Sequence, residues 1–310
     1  MCPLYFRTGS DGEYFWYEPF EHAAVVRGLP RGPRAVVAIP WTPVPGRRVL
    51  TGNASEQTRR QLLEAIAQAL VDLAVGHGWV SVHLLFCAPE EEAALVGKGF
   101  FARRSCQFQW HNPSSGSAAD FSVYLDGLSG RRRRKVRAER RRFAGLGIEL
   151  SYERGTAEDF LSFWEAYRAT ARRNDCDEPP LPKRFFEELA TRFAHRVEFT
   201  VARRGAEVLG RTLNLRGDDG AYYGRFWGAL DPPPLLHFEA ALYAGIERCL
   251  DLGLSYFDPG YGGGHKALRG FEPQPVYSAH WYADPTLHEG GKKFAEEEAV
   301  WLKAAYFGSS

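Results

Sequence analysis

The order of the predicted helices and strands constrains the fold of this chain most. The first and the second part of the sequence both end with a helix, a strand, a short helix and a strand. In the first part, residues 55–78 carry apolar side chains at helical spacing, and residues 80–86 form a short apolar run. Residues 90–97 then favour a short helix, and residues 104–111 alternate between apolar and polar side chains, as a half-buried strand does. Strands that alternate with helices predict an α/β fold.

A Ser/Gly/Ala-rich stretch at residues 112–119 separates the two parts, and we take it as a domain boundary. Beyond it, three strands joined by short Gly-bearing turns across residues 197–230 predict an antiparallel meander. An amphipathic helix follows at residues 237–252. We therefore expect domains at residues 1–119 and 120–310, with mixed, mostly antiparallel sheets flanked by helices, and we expect the second domain to carry the active site.

The composition excludes several classes of protein. A formal net charge of +1 over 310 residues does not suit a polycation that coats nucleic acid, so any basic patch must be local. The sequence has no secretory signal and no stretch of about 20 apolar residues that could span a bilayer, so we expect a cytoplasmic protein. Five cysteines are scattered without a C-x-x-C pair, which argues against a disulfide framework or a structural metal site.

The densest local signal is a run of basic side chains at residues 131–142, where nine of the twelve positions are Lys or Arg. A helix would spread them around much of its circumference, so some of them contact only water. The run fits a solvated helix, a clamp for the phosphates of a nucleotide, lipid or carrier, or an RNA contact. Arg134 and Arg137 are our candidates for binding the donor or the acceptor, because a guanidinium can donate two hydrogen bonds to one phosphate.

A second candidate site lies at the start of the predicted helix at residues 237–252. An amine is protonated at neutral pH and becomes a nucleophile only after it loses a proton, so an enzyme that modifies amines needs a base. Glu239 or His237 could serve as that base, and Tyr243 on the same helix is a binding candidate. The alternative is that Glu239 only complements the helix dipole.

A glycine-rich loop at residues 260–264 precedes His265, Lys266 and Arg269. Its four glycines could form a nest of backbone amides for an anion, with two cations one helical turn apart beside it. His265, Lys266 or a strand amide could then stabilise the oxyanion of an acyl-transfer intermediate. The alternative is a flexible connection whose cations are merely solvated. The loop fits neither a P-loop nor a dinucleotide-binding motif.

Three further polar residues are binding candidates, each with a purely structural alternative. Arg211 and Asn214 lie on a predicted strand of the meander, and His280 lies on the last predicted strand. The sequence contains no H-E-x-x-H and no G-x-S-x-G motif. Metal-dependent hydrolases and serine hydrolases of those types are therefore excluded.

Several blocks of the sequence, spread in order from about residue 40 to residue 281, resemble the FemAB-like predicted N-acyltransferases of the GNAT superfamily. They are residues 81–86 (SVHLLF), 107–112 (QFQWHN), 128–141 (LSGRRRRKVRAERR) followed by 147–150 (GIEL), 223–228 (YGRFWG), 237–239 (HFE), 264–271 (GHKALRGF) and 277–281 (YSAHW). The resemblance implies two GNAT-like domains in tandem, the second of which opens with the basic helix. It also implies acyl transfer, and the better-studied relatives use aminoacyl-tRNA to extend cell-wall precursor peptides.

One turn departs from the pattern of the GNAT enzymes that use CoA, in which backbone amides before the main helix wrap the pyrophosphate. Here the corresponding turn, residues 231–237, contains three consecutive prolines. Proline has no amide hydrogen to donate to a phosphate. A simple acetyl-CoA enzyme is therefore disfavoured.

We expect an N-acyltransferase that moves an acyl group from acyl-CoA or acyl-carrier protein to an amine of a peptide, an amino acid or a cell-wall precursor. The donor acts as a co-substrate, and we expect no permanently bound cofactor. Two alternatives stay open. One is a Fem-type transferase that depends on aminoacyl-tRNA, and the other is a non-catalytic GNAT-fold module that binds RNA or an anionic carrier.

Overall fold

The chain folds into two compact units, unit 1 with Met1–Cys106 and Gln274–Ser310, and unit 2 with Gln107–Pro273. The computed structural model describes residues 1–8, 18–39, 41–174, 176 and 179–308. The division differs from the expected one at residue 119, because the C-terminal segment returns to unit 1 and the first boundary falls earlier.

Unit 1 contains a mixed sheet with helices. Its strands are β1 (Leu4–Arg7), β2 (Arg34–Val37), β3 (Ser81–Cys87), the first part of β4 (Phe101–His111) and most of β10 (Glu272–Tyr282). Its helices are α1 (Glu18–Val26), α2 (Glu56–His77), α3 (Pro89–Val96) and α11 (Pro285–Leu302), the last followed by a π-turn (Lys303–Phe307). Strand β2 pairs with β1 antiparallel and with β3 parallel, and β3 pairs with β10 antiparallel.

Helix α2 shows how the sequence builds the core of unit 1. Ser55 caps the helix by accepting a hydrogen bond from the Thr58 amide (3.2 Å), and Gly78 ends it in a left-handed conformation (φ +66°). The helical spacing predicted from the sequence therefore becomes one buried face that packs on the sheet. The core includes Leu63, Ala67, Leu70 and Ala74 of α2 and Ala35, Val37, Val82, Leu84 and Ala279 of the strands.

Unit 2 also contains a sheet with helices. Its helices are α4 (Phe121–Asp126), α5 (Gly130–Ala144), α6 (Ala157–Arg173), α7 (Lys183–Arg192), α8 (Leu236–Phe238), α9 (Ala244–Asp251) and α10 (Gly264–Ala267), with a π-turn (Glu239–Tyr243) between α8 and α9. Its strands are β5 (Glu149–Glu153), β6 (Val197–Arg204), β7 (Glu207–Arg216), β8 (Ala221–Gly228) and β9 (Tyr256–Asp258). The order is β5-β6-β7-β8-β9 and then the end of β4, and only β8 and β9 run parallel among these pairs.

Two helical features differ from the expectation. The sequence at residues 120–145 also looks helical throughout, but the structure has two helices there, because Gly127 ends α4 and Ser129 starts α5. Tyr124 of α4 is buried and donates a hydrogen bond to the Arg269 carbonyl (2.7 Å). Helix α11 was not anticipated. Within the described ranges, no helix has both the length and the apolar composition needed to cross a lipid bilayer.

The Ser/Gly/Ala-rich stretch at residues 112–119 belongs to unit 2. The Asn112 side-chain amide donates to the Leu254 carbonyl (2.8 Å), and the Asn112 backbone amide donates to the Ser255 carbonyl (2.9 Å). The Gly116 amide likewise donates to the Gly253 carbonyl (2.9 Å). A composition typical of a linker is therefore used here for a turn that is tied down by hydrogen bonds.

Strands β8 and β9 pair over only three positions, the last of which joins Tyr223 to Asp258. The rest of β8 continues past the end of β9, and the glycine-rich loop begins there. Gly260 has a φ of +84°, and a Cβ atom at this position would come within 2.9 Å of the Gly224 carbonyl oxygen. Only glycine fits both the backbone conformation and the close approach of the two chain segments.

Candidate functional site

A groove of about 630 Å³ runs beside the basic helix α5 in unit 2. Its volume lies within the range of small-molecule sites, which is roughly 300–1,000 Å³. Most of its lining is apolar, and its charged groups come from α5 and from the helix that continues through the π-turn into α9. The lining residues are Phe121, Leu125, Val136, Arg137, Arg140, Arg141, Phe143, Ala144, Ile148, Leu150, Glu239 and Glu247.

Glu239 is the buried carboxylate of this groove. Its side chain is 3% exposed, and its Oε1 atom accepts a hydrogen bond from Arg140 Nε (2.8 Å). Burial raises the pKa of Glu239, whereas the charge of Arg140 opposes the increase. The residue lies in the π-turn, where the helix is locally widened, a feature that occurs often at functional sites.

Arg140 is held on three sides. Its Nη2 atom donates to Glu247 Oε2 (3.2 Å), and its guanidinium lies 4.3 Å from the centroid of the Phe121 ring. A stacked guanidinium with two carboxylate partners is fixed in position, so it can hold Glu239 in a single orientation.

The other basic side chains of α5 fall into two groups. Arg133 approaches Asp126 (3.6 Å), and Lys135 approaches Glu139 (3.3 Å). Six arginines are exposed and make no ion pair within the part of the chain that the structure describes: Arg131, Arg132, Arg134, Arg137, Arg141 and Arg142. Of these six, Arg137 and Arg141 line the groove, and Arg134 lies outside its lining.

Arg269 and Tyr243 meet at Glu139, the single acid within the basic run. Arg269 donates to both Glu139 oxygens (2.9 and 3.2 Å) and to the Tyr243 hydroxyl (3.0 Å), which itself donates to Glu139. The Arg269 guanidinium also lies 3.8 Å from the centroid of the Phe238 ring. Arg269 is 3% exposed, so its charge is committed to protein partners.

Lys266 holds the glycine-rich loop. It is 4% exposed, and its ammonium donates to the carbonyls of Gly260 (2.6 Å) and Tyr261 (3.2 Å). Burial lowers the pKa of Lys266 from 10.5 to about 8, although Asp258 opposes the decrease. The carboxylate of Asp258 accepts a hydrogen bond from the Gly260 amide (2.8 Å). The side chains of Asp258 and Lys266, on either side of the loop in the sequence, therefore hold it closed.

The rings of His237 and His265 each lie 5.7 Å from the ring of Phe238, measured between centroids. Both histidines are exposed at the surface, although many protein atoms crowd the ring of His237. That partial desolvation, followed by the charges of His265, Lys266 and Arg269, lowers the pKa of His237 to about 4. His237 precedes Glu239 by two positions, so the two side chains leave the helix on different sides.

The remaining candidates lie elsewhere. Arg211 pairs with Asp159 (3.0 Å) and donates to Ser162 (2.5 Å) in a second cleft between α6 and the meander. Asn214 is buried, and its side-chain amide donates to three oxygens of β6 and β7. His280 belongs to unit 1, where its Nδ1 atom lies 2.8 Å from Nδ1 of His83.

The structure thus gathers some of the predicted residues and separates others. Glu239 and Arg137 line one groove, and Arg269 and Tyr243 share one network beside it. Three important partners escaped the sequence analysis, namely Arg140, Glu139 and Glu247. A lone acid among nine basic side chains is a signal for a buried ion pair, and it would have identified Glu139.

A family model described as FemAB-like, peptidoglycan biosynthesis/recognition, matches residues 1–306. The chain is a member of the FemAB-like family. The search among curated proteins returns no match. The family predicted from the sequence blocks is therefore confirmed over nearly the whole length of this FemAB-like protein.

Solved structures share the fold. The C-terminal domain of a putative lysylphosphatidylglycerol synthetase from Agrobacterium fabrum is 12% identical with a TM-score of 0.57, over 87% of this chain and 83% of that one. L-PGS from Bacillus licheniformis is 14% identical with a TM-score of 0.54, over 82% and 79%. FemX is 11% identical with a TM-score of 0.51, over 84% of each chain.

These likenesses confirm the predicted fold class, a mixed α/β architecture with helices flanking the sheets. Identities below 15% establish the fold and leave the chemistry to the site itself. The family description supports a role in peptidoglycan biosynthesis or recognition, and it names neither a donor nor an acceptor.

Proposed function

We propose that this FemAB-like protein is an N-acyltransferase whose reaction takes place in unit 2, with Glu239 as the base. The observation that carries the proposal is the buried Glu239 carboxylate in the wall of an open groove, held in place by Arg140. A carboxylate whose pKa is raised by burial is a stronger base than an exposed one, as the deprotonation of an amine requires.

In the proposed reaction, the nitrogen of an amine attacks the carbonyl carbon of a thioester. Glu239 accepts the proton that the nitrogen loses, and the tetrahedral intermediate collapses as its C–S bond breaks. The departing sulfur takes that proton from Glu239 and leaves as a thiol. We assign the stabilisation of the oxyanion to His265 together with a strand amide, since the ammonium of Lys266 is occupied by loop carbonyls. Lys266 and Arg269 hold the loop and α10 in place.

The donor is held by α5 in this proposal. Three prolines at residues 232–234 remove three amide donors for a pyrophosphate from the turn before α8. The exposed arginines of α5, among them Arg134 and Arg137, are suited to bind the phosphates of an acyl-CoA or of the phosphopantetheine on an acyl-carrier protein. The acceptor is an amine of a peptide, an amino acid or a cell-wall precursor, in keeping with the family.

A second candidate function is transfer from aminoacyl-tRNA. The observation that favours it is the same set of six exposed arginines without an ion pair among the described residues, because such a surface can follow a nucleic-acid backbone. This reading predicts that binding of charged tRNA weakens steeply as the salt concentration rises.

The test combines donor screening with one pair of variants. The full chain is incubated with an amine acceptor and either acetyl-CoA, long-chain acyl-CoAs, acyl-loaded carrier protein or charged tRNA, and mass spectrometry detects the acylated product. Glu239→Gln should lower the transfer rate by at least about 100-fold, the usual scale for loss of a general base. Glu247→Gln is the matched control, since Glu247 also binds Arg140 but is 35% exposed.

Each outcome has a definite meaning. Product from a thioester alone supports the first proposal, and product from charged tRNA alone supports the second. Full transfer by Glu239→Gln would remove Glu239 as the base. Absence of product with all four donors would leave a non-catalytic binding module.

A further inference from the structure

The groove beside α5 is lined by two sets of residues, seven apolar residues that we call its apolar floor and five charged residues that we call its rim. The apolar residues come from α4, α5, β5 and the position before β5. The seven are Phe121, Leu125, Val136, Phe143, Ala144, Ile148 and Leu150. An open groove with such a floor favours a ligand that buries hydrocarbon.

The rim carries an excess of positive charge. Three arginines face two glutamates, and both glutamates are already hydrogen-bonded to Arg140. Arg137, Arg140 and Arg141 stand at positions i, i+3 and i+4, so they share one face of α5. Arg137 and Arg141 are exposed and make no ion pair in the described part of the chain. An anionic group would therefore find two available guanidiniums at the edge of the apolar floor.

We propose that this groove binds an anionic amphiphile, whose aliphatic chain lies on the apolar floor and whose carboxylate or phosphate head lies between Arg137 and Arg141. The inference rests on the proposed function in one respect, namely that it names the substrate class of the groove in which Glu239 acts. The binding itself does not depend on any chemical step.

The charge pattern favours an anionic amphiphile over a cationic or a neutral one. A cationic head would meet Arg137 and Arg141 and lose Coulomb energy, and a neutral head would leave both arginines as they are. An anionic head group that reaches Arg140 would also compete with Glu239 for its guanidinium. A bound anion would thereby loosen the hold of Arg140 on Glu239.

The experiment is calorimetric titration of the full chain, below the micelle concentration, with dodecanoate, dodecyl phosphate and dodecyltrimethylammonium. The two anions should bind, and the cation should bind at least about tenfold more weakly, given the strength of charge-assisted hydrogen bonds. The affinity ratio of the two anions separates a carboxylate head from a phosphate head.

Three variants locate the site. Arg137→Gln combined with Arg141→Gln should weaken binding of the anions at least about tenfold. Arg131→Gln combined with Arg142→Gln removes the same charge from another face of the helix, outside the lining, and should leave binding within about twofold. Ala144→Trp, at an exposed lining position, should fill the groove and abolish binding.

Equal binding of the cation and the anions by the wild-type protein would overturn the proposal, and so would equal losses from the two arginine pairs. Because no turnover is measured, the two proposals fail separately. If the protein does not bind the amphiphiles but Glu239→Gln still lowers the transfer rate, only this inference is contradicted. Binding of the anions together with full transfer by Glu239→Gln contradicts only the assignment of the base.

Discussion

Arg140 and Glu239 lie 99 positions apart in the sequence, yet the guanidinium of the first donates a hydrogen bond of 2.8 Å to the carboxylate of the second. The pair joins the basic helix α5 to the π-turn, so a helix that could have been a purely solvated element becomes one wall of a groove. Several measurable consequences follow from this pair and from the loop beside it.

Arg140→Ala should destabilise the protein by about 2 kcal/mol at pH 7, less than for a fully buried pair because Arg140 is 30% exposed. Burial already raises the pKa of Glu239, and without Arg140 the folded state should disfavour its carboxylate further. A carboxyl with a raised pKa becomes neutral as pH falls. The destabilisation caused by Arg140→Ala should therefore become smaller below the pKa of Glu239. Urea unfolding at pH 7 and pH 5 measures this, and an equal loss at both values would contradict it.

Arg269→Ala should lower the free energy of unfolding by about 3 kcal/mol, because it leaves Glu139 half-buried without its main partner. Although burial raises the pKa of Glu139, the Tyr243 hydrogen bond and Arg269 bring it below its usual value. In the wild type, Glu139 therefore contributes stability above the unfolded-state pKa, and this is lost as pH falls through the folded-state pKa.

Thermal unfolding of Arg269→Ala should be compared with that of Arg134→Ala. Arg134 is exposed on the same basic helix, so its removal should change stability by no more than about 0.5 kcal/mol. A similar effect of the two substitutions would show that the Glu139 network does not stabilise unit 2.

Lys266→Met should loosen the glycine-rich loop, because the Gly260 and Tyr261 carbonyls lose their hydrogen-bond donor. Amide hydrogen exchange across residues 260–264 should become faster. The lowered pKa also gives a sign for the pH dependence. Between about pH 8 and pH 10.5 the unfolded chain holds a proton that the folded chain has lost, so this residue makes wild-type stability rise with pH. This rise in stability should be absent in Lys266→Met. An unchanged dependence of stability on pH in this variant would contradict the prediction.

Gly260→Ala should cost about 2–3 kcal/mol, because it adds a clash with the Gly224 carbonyl to the strain of a positive φ. Gly262 is the matched control, since its φ is +86° and an added Cβ would meet no atom within 4 Å. Gly262→Ala should therefore cost only about 1 kcal/mol, which is the backbone strain alone. Urea unfolding distinguishes the two, and equal costs would mean that the close approach to β8 is not important.

Local patterns in the sequence determined the elements. The spacing of apolar residues predicted α2 to within a residue at either end, and the meander of β6, β7 and β8 followed from its short turns. These features depend on neighbours within a few positions, which is why a sequence alone reveals them. The family was recognisable for a related reason, since its blocks are contiguous.

Only the tertiary structure decided which side chains meet. It returned the C-terminal segment to unit 1, placed Arg140 on Glu239, and turned Arg269 towards Glu139, 130 positions earlier in the chain. No local periodicity encodes such pairs, because they depend on which buried surfaces pack together once the elements have formed. The sequence therefore offered Glu239 or His237 as a base and Arg137 as a binding residue, and the packing of α5 against the helix that follows β8 put Glu239 and Arg137 in one groove.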